Sequence, residues 1–218
     1  MPMLPEAAYI LNRRAYKESS LMLDVLTLNY GRISVIAKGA LKSKKSWSAL
    51  LQVFQPLLIV WAGRSSLKTL TSVEAPSDTP ILSTISTLSG RHLFSAYYLN
   101  ELILKLTPQE QGSAISVNAS AYFLSYSNAL ADLAICTNIE HPLRIFEYKL
   151  LSELGVFPDS YQDVYGVEIK VKSFYTLVLQ EGFKPVDNLD LISPDSVYIN
   201  GSYLLNLPQM IEEGFEFD

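Results

Sequence analysis

One cysteine, Cys136, and two histidines, His92 and His141, are all the Cys and His that this 218-residue sequence contains. A single thiol closes no intrachain disulfide. Structural zinc normally takes four Cys or His ligands, and three such residues far apart in the chain do not supply them, so no metal and no cofactor is expected. No glycine-rich phosphate cradle occurs. No apolar run approaches the roughly 20 residues that span a bilayer. Met1-Pro2-Met3-Leu4-Pro5-Glu6 has neither the cationic start nor the apolar core of a signal peptide, and the cytoplasm is the expected compartment. Catalytic constellations are missing as well. Asp24 falls in a predicted strand and Glu101 in a predicted buried helix. Neither has a base or metal partner, so both read as structural, and the chain reads as a binding protein rather than an enzyme. Disorder is excluded in turn, since 49% of the residues are hydrophobic and only 18% charged.

The net charge of −5 conceals an asymmetry. Residues 1–80 hold ten cations (Arg13, Arg14, Lys17, Arg32, Lys38, Lys42, Lys44, Lys45, Arg64 and Lys68) against five anions, a net of +5. The remaining residues then carry −10. A basic N-terminal part on an acidic chain points to a polyanion partner for that part alone.

Short apolar runs at 9–11, 21–28 and 33–37 read as strands. Asn29-Tyr30-Gly31-Arg32 is a turn signal that makes the second and third a hairpin. Leu41-Lys42-Ser43-Lys44-Lys45-Ser46 has no hydrophobic pattern and reads as an exposed loop. Trp47, Leu50 and Leu51 suggest a helical turn. Phe54 to Trp61 and Leu67 to Glu74 read as two more strands. Five short strands with a basic rim suit an OB-fold, a small Greek-key barrel that binds single strands on one face. An SH3-like barrel fits the pattern almost as well, and patterning does not separate the two.

The period changes at Ala75-Pro76-Ser77-Asp78-Thr79-Pro80, read as a linker. Residues 91–106 are apolar nearly all round, which predicts a central buried helix. A second helix is predicted over 113–134. A third opens at Pro142, carries the stripe Leu143, Phe146, Leu150 and Leu154, and stops at Gly155. From Val156 onward a small β insert is predicted. It has one hairpin around Glu181-Gly182 and a second, stronger one around Asn200-Gly201-Ser202, because Asn-Gly suits a type I′ turn. The fold class is therefore α+β and multidomain: an OB-fold barrel over 1–76, then an all-α helical domain over 77–218 with a β insert at about 156–205.

Four segments together resemble the RecO family of bacterial recombination-repair mediators. The first runs from Tyr9 to Asp24 (YILNRRAYKESSLMLD) and continues through Gly31-Arg32-Ile33 and Ala37-Lys38-Gly39-Ala40. The second is Leu51-Gln52-Val53-Phe54-Gln55-Pro56-Leu57-Leu58, with Gly63-Arg64 and Leu67-Lys68-Thr69-Leu70. The third is Tyr98-Leu99-Asn100-Glu101-Leu102. The fourth is Leu143-Arg144-Ile145-Phe146-Glu147, with Leu150-Leu151 and Leu154-Gly155. They keep the family's order and extend to about Gly155.

The resemblance implies an OB-fold followed by a helical domain and a role in repairing DNA gaps and breaks. It implies binding of single- and double-stranded DNA and annealing of complementary strands. The partners it implies are the single-stranded-DNA-binding protein, RecR and, indirectly, RecA. The matching cations are Arg13, Arg14, Lys17, Arg32, Lys38, Arg64 and Lys68; the loop lysines Lys42, Lys44 and Lys45 are added on charge. The acidic tail of the single-stranded-DNA-binding protein is expected on the third helix, at Leu143, Arg144, Phe146 and Leu150. Two departures stand out: residues 156–205 lack the zinc-site cysteines of some members, and the chain ends at Asp218 on an acidic stretch where the family usually continues into basic helices. An RNA-binding OB module of translation, or an enzyme with an unrecognised site, are the alternative classes.

Overall fold

A computed structural model describes residues 4–41, 47–63, 65–77, 88–110, 114–186 and 197–213. Five strands form the N-terminal part: β1 (Glu6–Tyr16), β2 (Ser20–Thr27), β3 (Gly31–Ala37), β4 (Pro56–Ala62) and β5 (Leu67–Glu74). They close into a barrel in the order β1-β2-β3-β5-β4, with β4 returning to β1. All neighbouring pairs are antiparallel except β3 and β5, which run parallel from Ser34–Leu67 to Ile36–Thr69. This order and the single parallel closure are those of an OB-like barrel, which settles the choice that patterning left open. A helical turn, α1 (Trp47–Leu50), lies between β3 and β4.

Alternation builds the barrel core. Leu21, Leu23 and Val25 of β2, with Ile33, Val35 and Ala37 of β3, bury one face of the hairpin, as a period of two requires. The β2–β3 turn is held by side chain as well as backbone. Thr27 Oγ1 donates to the Gly31 carbonyl at 2.9 Å and accepts from Tyr30 N at 3.1 Å. Gly31 has φ +67°, and a Cβ there would stand 3.0 Å from Glu110, so both backbone and packing favour glycine.

The helices that follow are α2 (Gly90–Leu106), α3 (Ala119–Ile135) and α4 (Glu140–Glu153). α2 is not buried all round. It buries Ser95, Ala96, Leu99, Asn100 and Ile103, whereas Phe94 is 75% exposed and Tyr97 49% exposed. One flank packs and the other meets solvent, which its uniformly apolar composition hides. α3 begins at Ala119, later than the 113 expected. Ser116 N donates to the Asn29 carbonyl (2.9 Å), and its Oγ donates to Glu110 (3.1 Å), which holds that stretch out of the helix. α4 begins two residues before Pro142. Asn138 Oδ1 accepts from Glu140 N at 3.0 Å, and Pro142 still lies in the first turn, where its missing N–H costs nothing.

The chain divides into two compact units, Met1–Phe146 and Glu147–Asp218. The expected boundary at residue 76 marks the change from strand to helix period; α2 and α3 pack in the same unit as the barrel. The second unit contains a three-stranded sheet in the order β7-β6-β8, formed by β6 (Phe174–Val178), β7 (Gly182–Pro185) and β8 (Ile199–Asn200). Ile169, Tyr175, Phe183 and Leu204 make its core. The hairpin expected around Asn200-Gly201-Ser202 is overturned: Gly201–Glu213 is a helix, α5. Asn200 caps it, its Oδ1 accepting from Ser202 N (2.9 Å) and Ser202 Oγ (2.6 Å). A Cβ on Gly201 would fall 2.1 Å from the Lys170 carbonyl, so this glycine serves a close backbone approach, not a turn.

Candidate nucleic-acid interface

β1 pairs with β4 only over Glu6–Tyr9 but stays paired with β2 to Tyr16. A bulge between Ile10 and Asn12 shifts its register against β2, and Leu11 is the extra residue. A bulged residue drops out of the strand ladder, and the Leu11 carbonyl instead accepts from Asn100 Nδ2 of α2 at 2.7 Å. Asn100 Oδ1 in turn accepts from the hydroxyl of Tyr126 on α3. Around this polar relay the Tyr9 ring lies 5.2 Å from both Phe123 and Tyr126, and its hydroxyl bonds Ser127 Oγ at 3.0 Å. Burial raises the pKa of Tyr9, partly offset by the Ser127 hydrogen bond, and burial pushes Tyr126 well above the usual phenol value, with Tyr9 adding to the shift.

Past the bulge, β1 exposes its side chains. Arg13 and Arg14 point to opposite faces, as neighbours on a strand must. Arg14 is exposed and rests Nε and Nη2 on the Met22 sulfur at 3.3 and 3.0 Å. Lys17, in the β1–β2 turn at φ +53°, is exposed with Nζ 5.5 Å from the Tyr16 ring centroid. Lys38 follows the Leu21–Ala37 pair and is exposed at the same barrel end. Leu41 N donates to the Ser19 carbonyl at 2.9 Å, tying the end of β3 to the β1–β2 turn. Arg14, Lys17 and Lys38 thus gather on one rim. Arg13 is also exposed and donates Nη1 to the Leu51 carbonyl at 3.1 Å.

Two of the expected cations are placed elsewhere. Arg32 starts β3 at the opposite end of that strand. It is half-buried, its Nη2 donates to the Thr107 carbonyl at 2.8 Å just past α2, and its Nε is buried without a hydrogen-bond partner. A guanidinium at a helix C-terminus satisfies an orphan carbonyl and complements the helix dipole. Lys68 is only 1% exposed, and its Nζ donates to the Gly63 carbonyl at 3.3 Å. It pairs with Val35, whose side chain is in the core, so the alternation of β5 turns Lys68 inward. Lys42, Lys44, Lys45 and Arg64 lie outside the described residues.

The two carboxylates singled out from sequence have structural partners. Asp24 accepts from Ser34 Oγ (2.8 Å) and Asn12 Nδ2 (3.3 Å) on the barrel. Glu101 is exposed on α2 and pairs with Lys105 at 2.6 Å. On α4, Arg144 is exposed and Leu143 half-buried, whereas Phe146 and Leu150 are buried. Among the described residues no group of three His, Cys, Asp or Glu could hold a metal ion, and no helix is long and apolar enough to cross a membrane.

Sequence reasoning missed a cleft of about 490 Å³ formed by β1, the segment after α1 and a flank of α2, lined in part by Asn12, Arg13, Gln52, Val53 and Tyr97. Its only sequence signal was an aromatic residue in a helix, which read as core.

Comparison with known proteins gives the same outline. Residues 1–77 match the family model for the N-terminal part of recombination protein O, and residues 89–189 match that for its C-terminal part. A DNA repair protein RecO of Haemophilus influenzae is 41% identical over 150 residues, 69% of this chain and 58% of the relative. One of Idiomarina loihiensis is 41% identical over 160 residues, 73% of this chain and 64% of the relative. One of Marinobacter nauticus is 40% identical over 153 residues, 69% and 57% of the two chains. The chain thus spans about three fifths of the length of these curated relatives. Two consecutive family models over most of its residues, with the OB-like barrel and helices they call for, place this chain in the recombination protein O family.

Proposed function

We propose that this protein is a DNA repair and recombination mediator. In this reading it binds single- and double-stranded DNA by the phosphate backbone, anneals complementary strands, and with RecR helps RecA load onto DNA coated with single-stranded-DNA-binding protein. The carrying observation is the convergence of exposed Arg14, Lys17 and Lys38 on one end of an OB-like barrel. The names of the relatives, DNA repair proteins, agree with it. Lys42, Lys44, Lys45 and Arg64 are proposed as further DNA contacts on their charge. Arg32 and Lys68 act in the fold.

Cations on a barrel rim meet phosphates and leave base edges free. Two strands held by their backbones have their repulsion screened and their bases available, so complementary strands zip faster without a nucleotide cofactor. Backbone binding releases counterions, and log affinity should fall linearly with log salt by about 0.7 to 0.9 per phosphate neutralised. Gel shifts of single-stranded DNA, duplex and RNA across salt test the reading, with annealing of two labelled complementary oligonucleotides alongside. Absence of DNA binding at low salt would overturn it, and a preference for RNA of equal sequence would replace it with an RNA-binding role.

The acidic tail of the single-stranded-DNA-binding protein is proposed to meet Arg144. A guanidinium fork holds a carboxylate in two hydrogen bonds. Because Phe146 and Leu150 are buried, the apolar part of such a contact falls to Leu143 and its surroundings. Tail peptide titrated into wild type and Arg144→Ala by anisotropy should show at least a several-fold loss; equal affinities would move the contact elsewhere.

A further inference from the structure

The cleft beside β1 has the size and lining of a ligand site, and backbone binding does not use it. Its volume of about 490 Å³ falls within the usual range for small-ligand pockets, about 300 to 1,000 Å³. Val53 and Leu104 are among its apolar lining residues, and Asn12 and Gln52 among its polar ones. Tyr97 lines it while remaining 49% exposed. Its ring is braced edge-on by Phe54, with centroids 5.0 Å apart and planes at 72°. Phe54 is itself 1% exposed and sits at φ +69°, a conformation that persists in a non-glycine residue only when its surroundings enforce it. The tyrosine thus presents an exposed aromatic surface beside a concavity, with Phe54 packed against its ring.

The charges around the cleft are ordered. Arg13, anchored to the Leu51 carbonyl, lies on the side from which β1 continues to Arg14 and Lys17. Arg14 faces away from Arg13 across the strand, so Arg13 is the β1 cation that meets a phosphate at the cleft. Glu101, paired with Lys105, lies on the α2 side. Lys105 lines the cleft beside Glu101, and with Arg13 the lining cations outnumber the one carboxylate, which suits a ligand that carries a phosphate. A nucleobase is uncharged and keeps its phosphate outside.

We propose that this cleft receives one unpaired nucleobase of a single strand held along β1, the base stacking on Tyr97 and its phosphate facing Arg13. The proposal rests on the DNA-binding reading above and adds to it a means of telling single strands from duplex, whose bases are already stacked. Stacking on an aromatic face tolerates any base.

The test compares an oligonucleotide with the same length of strand carrying abasic sites, by anisotropy at fixed salt. Wild type, Tyr97→Phe and Tyr97→Leu are measured; leucine keeps apolar contact with Phe54 but has no π face, and thermal melts report folding. Wild type and Tyr97→Phe are expected to favour the intact strand by about five- to tenfold, the low end of base–aromatic stacking. Tyr97→Leu is expected to lose that preference while retaining the salt slope. A 2-aminopurine probe in the strand should be quenched by wild type and not by Tyr97→Leu. If wild type binds both strands equally, or if Tyr97→Leu preserves the preference, the base site is overturned while the backbone reading stands. If wild type binds neither strand at low salt, the DNA reading itself falls. Displacement of the probe from wild type by an acidic peptide, with equal affinity for both strands, would assign the cleft to a protein tail.

Discussion

The carboxamide nitrogen of Asn100 donates a 2.7 Å hydrogen bond to the carbonyl of Leu11, the extra residue of the β1 bulge. The pair joins barrel to helix, since Asn100 is 2% and Leu11 3% exposed, and Tyr126 completes the relay by donating to Asn100 Oδ1. Asn100→Leu fills similar space but leaves the Leu11 carbonyl and the Tyr126 hydroxyl buried without partners. Each such group costs about 1 to 3 kcal/mol. Urea unfolding should show a destabilisation of about 4 kcal/mol, two such groups at the middle of that range. A change within about 0.5 kcal/mol, the size of an ordinary surface substitution, would mean that the relay contributes nothing to docking.

The same relay sets an alkaline limit. Tyr126 and Tyr9 have raised pKa values, chiefly from burial. With the folded pKa above the unfolded value of 10.0, the unfolded chain releases protons first. Their contribution is fully present below about pH 10 and is lost as pH rises from there towards the folded pKa. Urea midpoints measured from about pH 8 to 11 should fall steeply above the ordinary phenol pKa of about 10. Tyr126→Phe should be less stable than wild type at about pH 8, by about 1 kcal/mol for the missing hydrogen bond, yet decline less steeply. Parallel curves for the two proteins would remove Tyr126 as the cause.

Cations on the rim and cations in the fold should separate cleanly. Replacing Arg14, Lys17 and Lys38 with alanine should leave the melting temperature nearly unchanged and flatten the salt dependence of DNA binding, by about 0.7 to 0.9 in slope for each phosphate no longer neutralised. Lys68→Met, an apolar substitution of similar length inside the barrel, should leave that slope intact. A flattened slope in Lys68→Met, or an unflattened one in the triple variant, would reverse the assignment.

Gly201→Ala addresses the second unit. A methyl there meets the Lys170 backbone at 2.1 Å, an overlap that neither partner can relieve by rotating a side chain. The variant should break the hydrogen bond from Gly201 N to the Ser173 carbonyl and destabilise the sheet beside α5, by about 2 kcal/mol or more. Hydrogen exchange would place the effect in β6, β8 and α5. Unchanged protection in those elements would show that the backbone accommodates a side chain.

What the sequence determined by itself was whatever depends on neighbours along the chain. Strand period, the turn at Asn29–Gly31 and the limits of β5 were legible because alternation and backbone freedom are local properties. The order of the segments matching the RecO family was legible for the same reason. Tertiary structure alone decided which charges face outward. Lys38 and Lys68 look alike in sequence, but one follows the end of β3 into solvent and the other shares its face with Val35 in the core. It also decided that Asn200-Gly201 caps a helix, because the deciding approach comes from Lys170 and Ser173, some thirty residues earlier. The cleft at Tyr97 belongs to the same class. Its walls come from β1, from the segment after α1 and from α2, and burial is a sum over residues that the chain brings together only by folding.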